Sequence, residues 1–337
     1  MKPSTLVSLL CTSAAAVQAA IPSSAHRNNL NQRSQQHQNQ QPRLLHTLSP
    51  SHLSAQTKAK TLSQSLSLSQ AAAESVQGGA IFTLPTNKST ITSITGTFTI
   101  PHALVPTTGP TANGSASTYA ASFHLSIDGF PSSSSSSAQC NTGGAALRAG
   151  IDIFYDAAAG GEERPFAWYQ YAPSSSAVGF ANFSAAPGDT LKFTLSISTS
   201  TSSGAGAGAG AGVVTVENFG PGRKATKPIQ TATATVVGGG QALCGRQAGW
   251  VVEDFPLAGL PDFPVALADF GTVTFGALGV GLDSGKKVGE KEFVAGTGLV
   301  DINLEAQGGR LTDCKLVRGG GGGGVTSQVR CARVVGN

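Results

Sequence analysis

Apolar side chains recur at every second position through TITSITGTFTI, YAASFHLSIDG, LRAGIDIFY, TLKFTLSIST and VVTVENF, and each run is bounded by Gly, Pro, Ser or Asn. That alternation is what a strand with one buried face requires, because successive side chains point to opposite sides of a sheet. No stretch of ordinary helix length carries a helical period, so a helical bundle or a βαβ architecture is excluded. Short strands at regular spacing predict an all-β fold, a sandwich or a barrel.

Three low-complexity runs interrupt the pattern: Ser132 to Ser137, Gly204 to Gly212 and Gly319 to Gly324. Gly and Ser runs bury little surface, so they are expected in surface loops between strands and not between domains. The segment before the first strand is of another kind. Residues 1–19, MKPSTLVSLLCTSAAAVQA, have one lysine, an apolar stretch and small residues at 17 and 19, the pattern of a secretory signal peptide. No second long apolar run follows, so no membrane anchor is expected. Residues 20–75 are rich in Gln, Asn, Ser and His, with almost nothing to build a core, and are expected to be a disordered, basic pro-segment. This segment holds His26, His37, His46 and His52, which gain charge on acidification. The remainder, 76–337, is long enough for a single all-β domain.

Charge is informative only after that division. Six of the 22 Lys and Arg and one of the 18 Asp and Glu precede residue 76, leaving 16 against 17 in the folded part. A domain near neutrality has no basic field for nucleic acid, so no nucleic-acid partner is expected, and a monomer is expected. After Cys11, the cysteines are Cys140, Cys244, Cys314 and Cys331, an even set that permits three disulfide pairings in a secreted chain. CxxC spacing is absent, and neither a metal nor a cofactor is expected. Asn87, Asn113 and Asn182 head glycosylation acceptor tripeptides, in keeping with an extracellular destination.

Most hydrolytic plans fail on inventory. Only His102 and His124 lie in the folded part, and there is neither a G-x-S-x-G nor an H-E-x-x-H motif. Asp283-Ser284-Gly285 is a lone D-S-G, whereas an aspartic dyad needs two carboxylates sharing a proton, so a turn is expected there. WVVEDF, Trp250 to Phe255, is richer: on a strand Glu253 and Asp254 must face opposite sides, and an acid held on a concave sheet face can serve in acid/base work.

Seven segments, GGAIFTL, ITGTFTIPHA, FHLSIDG, AALRAGIDIFY, AWYQYAP, LCGRQAGWVVEDF and ADFGTVTF, stand in the order and spacing of one known group. On these, from about Gly78 to Phe275, the chain resembles the fungal glutamic peptidases, the eqolisin family. The resemblance implies a β-sandwich of two curved antiparallel sheets, concanavalin A-like, and a secreted acid endopeptidase made as a zymogen with a cleaved basic propeptide. It also implies a catalytic pair of one glutamate and one glutamine, in which the glutamate activates water and the glutamine orients it and binds the oxyanion. The glutamate falls on Glu253. The glutamine position, in AALRAG, is Arg148.

The family's disulfides fall on Cys140 with Cys244 and on Cys314 with Cys331. Of its cleft residues Asp128, Asp152, Trp168 and Tyr169 match, while His124 and Gln77 stand for tryptophans, Gln170 for a glutamate and Gly249 for an acid. Alternation puts Leu147, Ala149, Ile151 and Ile153 on one apolar face and Arg148, Gly150 and Asp152 on the other. A fixed positive charge near Glu253 favours the ionised carboxylate, and at close range the pair would form a bidentate salt bridge over the water site. Two functions are therefore open: an acid endopeptidase, or a catalytically silent relative that binds peptide or glycan in the cleft.

Overall fold

A computed structural model describes residues 75–84, 89–106, 118–130, 145–157, 159–173, 175–198, 211–222, 226–238, 243–255, 265–319 and 326–334. The expected signal peptide, nearly all of the expected pro-segment, Asn87, Asn113, Cys140 and most of the Ser- and Gly-rich runs lie outside the described residues. Ser75, the last residue assigned to the pro-segment, is paired with Asn303 through backbone hydrogen bonds in both directions.

The longer strands are β1 (Gln77–Thr83), β2 (Ile91–Thr99), β3 (Thr118–Ile127), β4 (Ala146–Asp156), β5 (Phe166–Ala172), β6 (Asp189–Ser198), β7 (Ala211–Pro221), β8 (Gln230–Val237), β9 (Gln247–Glu253), β10 (Thr272–Leu282), β11 (Thr297–Val300), β12 (Thr312–Arg318) and β13 (Ser327–Arg333). The first sheet runs β11-β1-β9-β3-β4-β5 and ends on the short strand Val178–Gly179; the second runs β8-β7-β6-β2-β10-β13-β12. All these pairs are antiparallel, and among the described residues only the two-residue strand Ala266–Leu267 lies parallel, against β3. The all-β sandwich is as expected.

Alternation explains the packing. Phe123 and Leu125 of β3, Leu147, Ala149, Ile151 and Ile153 of β4, and Ala248, Trp250 and Val252 of β9 face the second sheet and belong to one buried cluster. Phe98 of β2 lies at its centre, with ring centroids 5.8 Å from Phe193, 5.1 Å from Phe275 and 6.1 Å from Phe123, so it packs on rings from both sheets. Trp250 crosses the sandwich to donate from Nε1 to the Thr95 carbonyl at 3.0 Å. Gly96 makes this approach feasible, since a Cβ there would stand 2.7 Å from Trp250 Nε1.

Two details depart from the sequence reading. Ala211 and Gly212 end the Gly-Ala run inside β7 and not in a loop. A Cβ on Gly212 would meet Leu147 Cδ2 at 2.6 Å, so this end of the run lies where the sheets touch. A seven-residue helix α1 (Glu290–Gly296) also forms, too short to leave a period in the sequence. It buries Phe293 against Phe82 and Trp250, at 5.7 and 5.4 Å. Asp283 to Gly285 form a turn after β10, with Gly285 at φ 75° donating to the Leu282 carbonyl.

Candidate active site

The outer face of the first sheet gathers the residues singled out in the sequence. Register aligns them in rows across the strands. One row is Gln77 of β1, Glu253 of β9, Ser122 of β3, Asp152 of β4 and Phe166 of β5. The next is Gly79, Val251, His124, Gly150 and Trp168, and the one beyond it includes Gly249, Ser126, Arg148 and Gln170. These side chains belong to the same strands as the apolar core but point the opposite way.

Unlike a solvated sheet face, this one is buried: Ser122, His124 and Asp152 are 0% exposed and Glu253 1%. Apolar groups close it at both ends. Phe154 packs on Phe255 at 5.9 Å in a cluster with Ala120 and Val265, and the Phe130 ring lies over Gly249, where a Cβ would meet its Cζ at 2.2 Å.

Within it, His124 Nδ1 is 3.5 Å from Glu253 Oε2. The imidazole stands beside the Trp168 ring, with centroids 5.7 Å apart, and Trp168 Nε1 donates to Asp152 Oδ1 at 2.8 Å. Across four adjacent strands, one ring is thus hydrogen-bonded to a carboxylate and the other stands at ion-pair distance from a second. Gly150 makes the room: a Cβ there would be 2.4 Å from His124 Cβ and 2.3 Å from the Phe123 carbonyl oxygen.

Arg148 does not lie on Glu253. Register sets it two strands over and at the Ser126 level, whereas Glu253 is at the Ser122 level. Its guanidinium leans the other way, toward the chain beyond β3, where a Cβ on Gly129 would be 3.2 Å from Nη2 and 3.7 Å from Nε. Among the described residues the ion-pair contact of Glu253 is with His124 and not with Arg148. Gln170, opposite Arg148, donates from Nε2 to the Ser175 carbonyl at 3.1 Å.

Asp128, expected in the cleft, serves the scaffold. At φ 60° it ends β3, and its carboxylate accepts from the backbone N–H of Gly245, Arg246 and Gln247 at 2.7, 2.8 and 3.0 Å. Burial raises its pKa, an effect that these backbone donors only partly offset. Asp254, facing away from Glu253 as a strand requires, is also buried. Gln307 Nε2 donates to its Oδ2 at 2.6 Å, and burial pushes its carboxyl well above the ordinary aspartate range.

Ser122 is the residue that the sequence did not single out. Its hydroxyl is fully buried between the Glu253 and Asp152 positions and has no hydrogen-bond partner among the described residues. It makes no Ser–His pair with His124, so the serine plan stays unsupported. Period-two spacing from His124 puts it on this face, but only strand register sets it opposite Glu253. Among the described residues no group of three or more His, Cys, Asp or Glu could hold a metal ion.

Cys314 and Cys331, opposite one another on β12 and β13, form a disulfide. Cys244 is also disulfide-bonded, and Cys140, its implied partner, lies outside the described residues. No curated protein sequence matches the chain. The sequence model of the Peptidase A4 family matches residues 75–322, from the first bridge of the sandwich to the approach of its last strand. A match over most of the chain, on the fold and the glutamate-bearing face just described, makes this protein a member of the Peptidase A4 family, the glutamic peptidases.

Proposed function

We propose that the protein is a secreted endopeptidase of the glutamic type, active in acid, in which Glu253 activates a water molecule for attack on a peptide carbonyl. The observation that carries this reading is the Glu253 carboxylate, buried on the sheet face with His124 Nδ1 at 3.5 Å. A carboxylate so placed takes a proton from water as the oxygen attacks the carbonyl carbon. It then returns the proton to the amine as the C–N bond breaks. Family membership implies a polypeptide substrate. Secretion is supported by the disulfides, which persist in oxidising compartments, and by the signal-like first 19 residues.

Arg148 at the family's glutamine position favours a second reading, a silent relative, and the burial of the whole face favours it too. Acidification of the full chain to about pH 3–4, with a denatured protein as substrate, separates the two. On the first reading cleavage appears and Glu253→Gln lowers it about 10²- to 10⁴-fold. Cleavage that survives Glu253→Gln unchanged would overturn Glu253 as the base. Absence of cleavage in the wild-type chain, with rescue by Arg148→Gln, would establish the silent reading.

A further inference from the structure

We infer that His124 and Ser122 together replace the family's glutamine beside Glu253, His124 as the cation set at ion-pair distance from its carboxylate and Ser122 by holding the attacking water. The inference rests on the reading of Glu253 as the water-activating base.

A glutamine in that role orients the water and donates to developing negative charge. Arg148, at the glutamine position, leans toward Gly129 and does neither. Two other groups on the same face are placed to do so. His124 reaches Glu253 Oε2 at 3.5 Å through Nδ1. Ser122 is directly opposite Glu253, and opposed side chains in an antiparallel pair have Cβ atoms about 4.5–5.5 Å apart. Its buried hydroxyl has no hydrogen-bond partner among the described residues. A buried hydroxyl strongly favours a partner, and a water at this point would lie between Glu253 and Asp152.

Among the described residues, the neighbouring strands set these groups around the imidazole. β9 offers Val251 and Glu253, β3 offers Ser122 and Ser126, β4 offers Arg148, Gly150 and Asp152, and β5 offers Trp168. Of the charged ones, Asp152 accepts from Trp168, and Arg148 is turned toward Gly129. Glu253 is the carboxylate that contacts the ring. In the working form we propose, the ionised carboxylate stands beside the imidazolium at the observed 3.5 Å. Water loses its proton to Glu253 on attack; the imidazolium offsets the negative charge that develops on the carbonyl oxygen; the same proton then leaves with the amine. His124 is thus a positioning residue acting through Glu253. Activity is expected to have an acid limb, as Glu253 is protonated, and an alkaline limb, as the imidazolium is lost, so that the optimum is a bell.

The test uses the full chain, its acid-processed product and a denatured protein substrate. An NMR titration of the imidazole signals, with His124 assigned by its loss in His124→Gln, is compared between wild type and Glu253→Gln. The His124 midpoint is expected to move down when the carboxylate is removed, since an imidazolium loses its counter-charge. In hydrolysis, Ser122→Ala and His124→Phe are each expected to lower kcat about 10²-fold with a smaller change in KM. His124→Gln restores part of the rate without the alkaline limb, and His102→Gln, on the exposed His102–Glu162 pair, leaves rate and profile alone. An unmoved His124 midpoint overturns the proposal whatever the rates. So does a wild-type rate and profile in both Ser122→Ala and His124→Phe. A wild-type chain that hydrolyses nothing from about pH 2 to 8 removes the peptidase reading and this proposal with it. Hydrolysis that needs Glu253 but neither His124 nor Ser122 removes the proposal alone.

Discussion

On its inner face the first sheet presents Phe123, Leu125, Ile151 and Trp250 to the second sheet; from the same strands, its outer face presents Ser122, His124, Asp152 and Glu253. Both sets are buried. The inner face is stabilised by area removed from water, about 25 cal/mol per Å², with little demand on direction. The outer face removes charges and hydroxyls from water, which costs free energy that only directed contacts offset. The difference teaches that the members of the outer face depend on one another as the inner residues do not.

The comparison is broken most forcefully from the inner side. Phe98 packs against three rings, so Phe98→Ala is expected to cost about 3–5 kcal/mol in chemical denaturation, with any loss of hydrolysis tracking the unfolded fraction. On the outer face the relation inverts. Trp168→Phe keeps most of the volume but removes the donor to Asp152, leaving a buried carboxylate short of a hydrogen bond, and about 1.5–3 kcal/mol should be lost. On the peptidase reading its folded fraction is nonetheless expected to hydrolyse poorly, because the ring beside His124 shifts. An unaltered rate per folded molecule would mean that the outer face is scaffold like the inner one.

Gly150→Ala sharpens the same contrast with one methyl group. The added carbon would collide with the Phe123 carbonyl and the His124 Cβ, and overpacking of this size costs about 1–3 kcal/mol. The strands must part at His124, so the Glu253 contact is expected to loosen and the His124 titration midpoint to fall. Retention of the wild-type midpoint would show that the imidazole is held by Trp168 more than by the β3–β4 spacing.

These residues also mark how far the sequence could be read. The side of the sheet was legible: period-two alternation puts Arg148, Gly150 and Asp152 on one face, and the strands lie where it predicts. Glu253 and Asp254 face opposite ways for the same reason. Legibility stopped at register. Nothing local in FHLSIDG says that His124 will lie beside a residue 129 positions later, because that pairing depends on β9 meeting β3. The lean of Arg148 depends on the bend after β3, where Asp128 at φ 60° and Gly129 at φ 90° leave space for the guanidinium. Helix α1 follows from Phe293 docking on Phe82 and Trp250, a tertiary contact that seven residues cannot advertise.

The smallest expected effect is one of pH, and it separates the two neighbouring acids. Burial, the dominant influence, raises the Asp254 carboxyl well above the ordinary aspartate range, although the Gln307 hydrogen bond and the Arg333 charge lower it. The folded chain therefore keeps the proton at a pH where the unfolded chain has released it. That stability is fully present below the ordinary aspartate pKa and is lost as pH rises through the raised one. Asp254→Asn keeps an oxygen for Gln307 and does not titrate, so at about pH 3 it should match wild type to within about 1 kcal/mol. As pH rises the variant is expected to gain on the wild type in denaturation midpoint. Glu290 has the opposite sign: burial would raise its pKa, but hydrogen bonds from Ser327 and Thr326 outweigh it and hold it lower, so its stability is lost as pH falls. The whole-protein trend mixes the two acids, and only the difference between Asp254→Asn and wild type isolates one. A difference that does not change with pH would mean that Asp254 is ionised in the fold, and Glu253 would then have a second buried negative charge beside it.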